Sequence, residues 1–290
     1  MKAKQIVDII IANCDLPFEL ENTCDTYLSG SPDTTVTGVV TTFMATVEVI
    51  KKAARLGANM IITHEPVYFT ANDSTDWLAD DPVYLAKKKL LEENDIVIWR
   101  YHDHMHMKKP DMIYEGLIKA LNWEIYAQHD EESGDYPDTD EYFAKSFSNY
   151  YDIPETTLND LARYFMERLQ MDHIRILGDS QTTCKRVGIL VGGGSLGLGR
   201  EEMPMQVMHE KNIDVLVCGE ITEWTLPAYV NDAQALGFCM ALLIVGHERS
   251  EEWGMKYMAE WLKPLIPALS VAFIDAKEPF TYVNYSTKGR

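Results

Sequence analysis

The sequence predicts an α/β protein built from two αβ-layered parts with mostly parallel sheets and a metal cleft between them. Short apolar runs alternate with amphipathic stretches along most of the chain. Strict strand–helix alternation argues a parallel or mostly parallel sheet covered on both faces. Three of the apolar runs end in metal-binding side chains: Met60–Thr63 into His64-Glu65-Pro66, Ile96–Trp99 into the segment from His102 to His106, and Leu242–Val245 into Gly246-His247-Glu248-Arg249-Ser250-Glu251. Five of the eight histidines lie in these places. Ligands of open α/β sheets gather at the carboxyl ends of strands, so three imidazole clusters at three strand ends point to one site.

Taken in order, the chain opens on an amphipathic helix pattern at Ile6, Ile9, Ile10 and Asn13. Val36–Thr42 is β-branched and reads as a strand. Ala45–Leu56 has apolar positions at Val47, Ile50 and Ala54 and a stop at Gly57, the signature of a helix. Met60–Thr63 is a strand. Pro82–Asn94 is a helix, with Asp81 as N-cap and Pro82 in its first turn. Ile96–Tyr101 is a strand and Ile113–Leu121 a helix. Between Gln128 and Asp152 stand Asp130, Glu131, Glu132, Asp135, Asp138, Asp140 and Glu141, with Gly134 and Pro137, which read as a solvated connection. The second half repeats the alternation. Thr157–Leu169 is a helix capped by Thr156 or Thr157. Ile174–Gly178, Val187–Val191, Val215–Cys218 and Met240–Val245 are strands, and helices lie near Met203–Lys211, Leu226–Leu236 and Glu251–Leu262. Residues 1–126 with 247–290 are expected to form the first part, carrying most of the ligands, and residues 127–246 the second.

A chain of 290 residues with 46% hydrophobic content can bury one large core or two modest ones. Its 45 acidic and 26 basic residues give a net charge of −19. Such a surface repels a phosphate backbone, so no nucleic-acid partner is expected, while cation binding is favoured. No apolar stretch reaches the ~18–20 residues of a membrane span, and no membrane association is expected. The first residues lack the apolar core and cleavage site of a signal peptide. Five cysteines at positions 14, 24, 184, 218 and 239, with no CxxC pair, suit reduced thiols in a cytoplasm.

Each motif has a plainer reading beside its metal reading. His102, His104 and His106 are spaced by two, so an extended chain would turn all three imidazoles one way, like a comb. The alternative is a solvated, histidine-rich loop. His247 and Glu251 are four apart and share a helix face if a helix starts there; taken alone, an acid near a helix N-terminus is the simpler account. His64 and Glu65 are adjacent, and on an extended chain they point apart, toward two ions or toward a ligand and a base. Alone, His64 would be a packed strand-end histidine. The conjunction of three strand ends favours a shared metal site. Nitrogen and carboxylate ligands without thiolate suit Zn, Fe, Mn, Co or Ni.

With these motifs in view, the chain resembles the NIF-three-like dinuclear metal-centre family, often labelled GTP cyclohydrolase type 2 homologues, nearly end to end. Val36-Thr37-Gly38-Val39-Val40 followed by Thr46-Val47-Glu48-Val49-Ile50 is similar to the family's first strand and helix. Gly57 through Pro66 resembles its first ligand motif, usually His-His-Pro. His102 to His106 sits at its His-x-x-x-Asp motif. Thr157-Leu158-Asn159-Asp160-Leu161-Ala162, Cys218-Gly219-Glu220-Ile221 and Gly246 through Glu251, a Gly-His-x-x-x-Glu, match later blocks. Two positions depart: Glu65 stands for the second histidine and His106 for the aspartate. The exchange keeps three imidazoles and two carboxylates if His64, Glu65, His106, His247 and Glu251 are the ligands. His102 matches the family's histidine and is a further ligand candidate; His104 is a secondary one. His129, His173 and His209 are expected to be silent. Where the family has Gly-Glu-Ile-Lys-His-His, this chain has Gly219-Glu220-Ile221-Thr222-Glu223-Trp224.

The resemblance implies two divalent metal ions per subunit and a toroidal homohexamer. The leading expectation is a metal-dependent hydrolase of a small molecule, a nucleotide or cyclic amide, in which a hydroxide bridging the ions attacks and Glu65 or Glu220 moves protons. A non-catalytic, metal-loaded oligomeric scaffold is the second reading. The third is a dinucleotide site, from the G-x-G-x-x-G of Gly192 to Gly197 after a strand; the plainer account of that run is a turn lining the metal cleft.

Overall fold

The computed structural model describes residues 1–16, 19–20, 22–128 and 149–283. Along its first half run α1 (Ala3–Ala12), β1 (Tyr27–Ser29), β2 (Gly38–Thr42), α2 (Val47–Arg55), β3 (Met60–Thr63), α3 (Pro82–Glu93), β4 (Val97–Arg100), α4 (Asp103–Met107), α5 (Met112–Leu121) and β5 (Ala127–Gln128). The second half holds β6 (Tyr150–Thr157), α6 (Leu158–Leu169), β7 (Arg175–Leu177), β8 (Thr183–Leu190), α7 (Met203–Glu210), β9 (Val215–Cys218), α8 (Leu226–Ala235), β10 (Ala241–Ile244), α9 (His247–Leu262) and β11 (Ser270–Phe273).

Two sheets result. The first has the order β1-β4-β3-β2-β11, parallel except where β1 joins β4. The second has the order β5-β6-β8-β9-β10-β7; its centre, β8-β9-β10, is parallel, and its outer strands pair antiparallel. The fold is therefore the expected mixed α/β arrangement with largely parallel sheets. The central strands β2, β3, β4, β9 and β10 are buried at every position, as strands covered on both faces must be.

The helix caps predicted from single residues are present. The Asp81 carboxylate accepts from the amides of Val83 and Tyr84, with Pro82 following it. Thr157 accepts from the Asp160 amide and starts α6. Short edge strands went unforeseen: β1, β5 and β11 span four residues or fewer, below the length at which a period of two is visible. Tyr150–Asp152, expected to close a solvated connection, belong instead to β6, where Tyr151 and Ile153 are buried. Residues 129–148 of that connection lie outside the described residues.

One core cluster joins the inner faces of both sheets. It takes Val39, Met60 and Trp99 from the first, Val187, Val215 and Leu243 from the second, and Leu117, Phe165, Met255 and Leu262 from the helices between. The outer faces carry α2 with Val40 and Ile61, and α7 and α8 with Leu216 and Leu242.

Within the shared layer α5 and α9 meet backbone to backbone. A Cβ on Gly116 would lie 2.4 Å from the Trp253 carbonyl oxygen, and one on Gly254 would lie 2.5 Å from the Ile113 Cα. Neither obstacle is a flexible side-chain end, so an added methyl must push the helices apart. We expect Gly116→Ala to lower the unfolding free energy by about 1–3 kcal/mol, the usual cost of overpacking, read by urea denaturation.

Candidate metal centre

Three strand ends deliver the site. In the first sheet Thr63 lies opposite Arg100, so the residues after β3 and β4 emerge side by side. The His64 amide donates to the Phe43 carbonyl (3.1 Å) and the Tyr101 amide to the Thr63 carbonyl (2.9 Å), holding both turns. In the second sheet β10 ends at Ile244, and Gly246 turns the chain with φ +91° into α9. His247 is the first residue of that helix, and Glu251 follows one turn later on the same face.

The histidine segment is not a comb. Residues 103–107 form the short helix α4, which puts His102 and His106 on one side and turns His104 away. His104 Nδ1 is 2.7 Å from Asp25 Oδ2, outside the cluster. The extended reading missed this because three alternating histidines carry no apolar marker of a 3.6-residue period. The rings of His64, His102 and His106 instead pack with centroids 4.6, 5.0 and 4.8 Å apart.

Two carboxylates face these imidazoles and His247: Glu65 from the same turn as His64, and Glu251 from α9. Glu251 Oε2 lies 3.3 Å from His64 Nε2 and 3.1 Å from His247 Nε2. Glu65 Oε1 lies 3.3 Å from His247 Nε2 and 3.8 Å from His102 Nε2. Ligand atoms of His64, His102 and His106 fall within 4.8 Å of one another, as do those of His64, Glu65 and Glu251. The six expected metal ligands thus converge, with His64 common to both groups. His173 and His209 join no such group among the described residues; His129 lies outside them.

All four clustered imidazoles are held the same way. Nδ1 of His64 meets the Tyr101 carbonyl (3.2 Å), Nδ1 of His102 meets Asp103 (2.9 Å), Nδ1 of His106 meets Asp111 (2.9 Å) and Nδ1 of His247 meets Glu220 (3.1 Å). An oxygen acceptor at Nδ1 fixes the proton there and leaves the Nε2 lone pair for an ion, the usual second tier of a metal site. Glu220 therefore orients His247, with its own side chain 45% exposed. Asp103 and Asp111 were not foreseen as members of the site. Asp111 also caps α5 by accepting from Ile113 and Tyr114, and that cap signal was the only trace it left in the sequence.

The glycine run lines this site. Residues 192–196 form a 3₁₀ turn, and the next α-helix starts only at Met203, so no helix N-terminus follows for a pyrophosphate. A Cβ on Gly192 would sit 1.9 Å from Glu251 Oε1 and 2.7 Å from His247 Nε2. The Gly192 amide donates to Ser250 Oγ (2.9 Å), and the Ser250 hydroxyl donates to the His247 carbonyl (2.7 Å). Phe43 closes another wall, edge-on to His247 at 5.4 Å.

Electrostatics match a cation site. Burial opposes charging of His106, but Asp111 outweighs it and raises the pKa to about 9. For His247 burial also opposes, and Glu251, Glu220 and Glu65 together raise the pKa. Burial would raise the Glu65 pKa, yet His247 brings it down to about 2. His247 and His64 likewise overcome burial and hold Glu251 well below the usual carboxylate range. His64 Nε2 and Glu251 Oε2 are buried without a hydrogen-bond partner. Such orphans are costly, and coordination to a cation satisfies both, so the residues fit a metal ion.

A protein-family model for Duf34/NIF3 (NGG1p interacting factor 3) matches residues 1–279. The chain belongs to the Duf34/NIF3 family. A relative from Clostridium perfringens named "GTP cyclohydrolase 1 type 2 homolog" is 23% identical over 289 residues, 98% of this chain and 100% of the relative. The Bacillus cereus protein related to NIF3 shares the fold at TM-score 0.70 and 17% identity, over 98% of this chain and 99% of that one. A Staphylococcus aureus hypothetical protein does so at TM-score 0.69 and 21% identity, with the same coverage. Glu65 and His106 both face the cluster.

Asp111→Asn keeps a capping oxygen for α5 but removes the charge behind His106. We expect it to weaken metal binding about 10–100-fold, measured by chelator competition, while His104→Ala leaves metal content unchanged. In the metal-free protein His106 rises from its ordinary 6.5 to about 9. Its stabilising contribution is then complete below pH 6.5 and lost as pH climbs toward 9. We expect the melting temperature of chelator-treated protein to fall over that window, and that of metal-loaded protein not to follow, since ligation replaces the proton.

Proposed function

We propose that this NIF3-family chain is a dinuclear metal protein that hydrolyses a small molecule, with His64, Glu65, His102, His106, His247 and Glu251 holding two divalent ions drawn from Zn, Fe, Mn, Co or Ni. The observation that supports this most directly is the common setting of the four imidazoles, each with Nδ1 tied to an oxygen, and three of them, His64, His102 and His247, with Nε2 facing the carboxylates of Glu65 or Glu251. When bound, such ions polarise a substrate oxygen and make water a better nucleophile near neutral pH.

The chain's own residues divide the remaining work. Glu65 has a pKa of about 2 and faces two ligating nitrogens, which suits a ligand and not a base. Glu220 is the partly exposed carboxylate of the site: one oxygen holds His247, and solvent reaches its side chain, which gives it the proton-moving role. Phe43 and the Gly192 turn pack close to His247. A cationic centre in a chain of net charge −19 selects a small anionic or carbonyl-bearing substrate over a polyanion. The word GTP in the name of the Clostridium relative directs the choice toward nucleotides. Five free cysteines suit a reducing cytoplasm, and among the described residues no helix is long and apolar enough to cross a membrane.

A second reading, a metal-loaded oligomeric scaffold, draws support from exposed Trp224, Leu236 and Phe238, the kind of apolar surface that assembly covers. A homohexamer serves either reading. The two part on turnover. For the enzyme, we expect protein loaded with each metal to hold two ions per chain and to hydrolyse a member of a nucleotide and cyclic-amide panel. Chelation or His247→Ala should remove that activity. Two bound ions with no turnover across the panel favour the scaffold.

A further inference from the structure

We infer that Arg100 is a positioning residue that makes Glu65 a one-oxygen ligand; this deepens the dinuclear reading and rests on it. The two oxygens of Glu65 have different surroundings. Oε1 faces His247 Nε2 (3.3 Å) and His102 Nε2 (3.8 Å), and Oε2 faces Arg100 Nη2 (3.7 Å). A carboxylate so divided offers a single atom to an ion, as an imidazole does.

Arg100 is held in place without help from Glu65. It closes β4 after the apolar Val97, Ile98 and Trp99, and its side chain is only 6% exposed. Nε donates to the His64 carbonyl (3.1 Å) and Nη1 to the Ala71 carbonyl (2.7 Å). Nη1 also lies 3.9 Å from Asp73 Oδ2, and Asp73 Oδ1 accepts from the Val67 and Tyr68 amides at 2.7 Å each. The guanidinium keeps its charge at any pH a protein tolerates, so it is a fixed cation behind Glu65.

With Glu65 in place the guanidinium has a carboxylate near each terminal nitrogen, Asp73 at Nη1 (3.9 Å) and Glu65 at Nη2 (3.7 Å); without Glu65 it loses the one that faces the metal cluster. A purely structural Arg100, needed only to pin the loop through Ala71 and His64, predicts no coupling to residue 65 in metal affinity.

The test is a double-variant cycle read by metal affinity and by X-ray absorption of the loaded protein. Glu65→His strands the Arg100 charge beside the ions and should weaken binding about tenfold or more. Adding Arg100→Met to Glu65→His should recover most of that loss. In the wild-type chain, absorption and anomalous density should show Glu65 bound through one oxygen. Arg100→Gln, which keeps donors but not the charge, serves as the second probe, and melting of the metal-free variants reports folding. Additive or worse loss in both double variants, or two-oxygen binding by wild-type Glu65, overturns the inference while leaving the dinuclear reading intact. Fewer than two ions in the wild-type chain overturns both.

Discussion

The arrangement depends on one repeated interaction: an oxygen atom at Nδ1 of every clustered imidazole. A histidine ring has two chemically similar nitrogens, and an ion site needs one of them bare. In this chain the Tyr101 carbonyl, Asp103, Asp111 and Glu220 make that choice four times. Each tether reaches back into a different element. The Tyr101 carbonyl is set by the β3–β4 register, Asp111 by the start of α5, and Glu220 by the end of β9. The geometry of the centre is therefore a readout of how both sheets and α5 are joined.

That dependence explains why backbones touch where they do. Histidine and glutamate are short, and ligands from two sheets share one centre only if their supporting elements come close. Two glycine contacts make this possible. Gly116 and Gly254 let α5 and α9 meet, which brings the Asp111 end of one helix toward the His247 end of the other. A Cβ on Gly219 would lie 2.3 Å from the Gly192 amide nitrogen, so those two turns also meet main chain to main chain. Gly192 in addition yields its side-chain space to Glu251. A motif that reads as a phosphate cradle lies, in this fold, against Glu251 and His247 of the candidate metal centre.

What could be read in the sequence follows from the range of each interaction. Central strands announced themselves because both faces are buried and the apolar run is unbroken, as in Met60–Thr63. Caps were legible because they act over three residues, as with Asp81 and Thr157. The clustering of the six ligand candidates was legible because each follows such a strand. Tethers were not: Asp103 and Asp111 look like ordinary helix-start acids, and their second role needs a histidine ring brought into place by the fold. The alternating histidines misled for a related reason. Spacing by two suits a strand, but the chain has already left β4 at Arg100, and a single helical turn puts His102 and His106 together and His104 against Asp25. Arg100 was invisible as part of the site, since its meaning depends on which oxygen of Glu65 it faces.

On the proposed metal reading, binding and folding are coupled. Glu65 and Glu251 stay ionised in a buried cleft, and without an ion their charge is offset by protons on His247 and His106. That compensation is incomplete, because His64 Nε2 and Glu251 Oε2 still face each other without a hydrogen bond at 3.3 Å. Unpaired buried polar atoms cost free energy that the rest of the core must supply. A cation removes the cost, displaces the protons and binds the folded chain far better than the unfolded one, in which the six ligands are scattered from residue 64 to residue 251. In the proposed metal protein the ion thus belongs to the stability of the fold as much as to its chemistry. An acidic surface serves that end too: it raises the local concentration of cations around a cleft whose ligands reach full satisfaction only when one is captured.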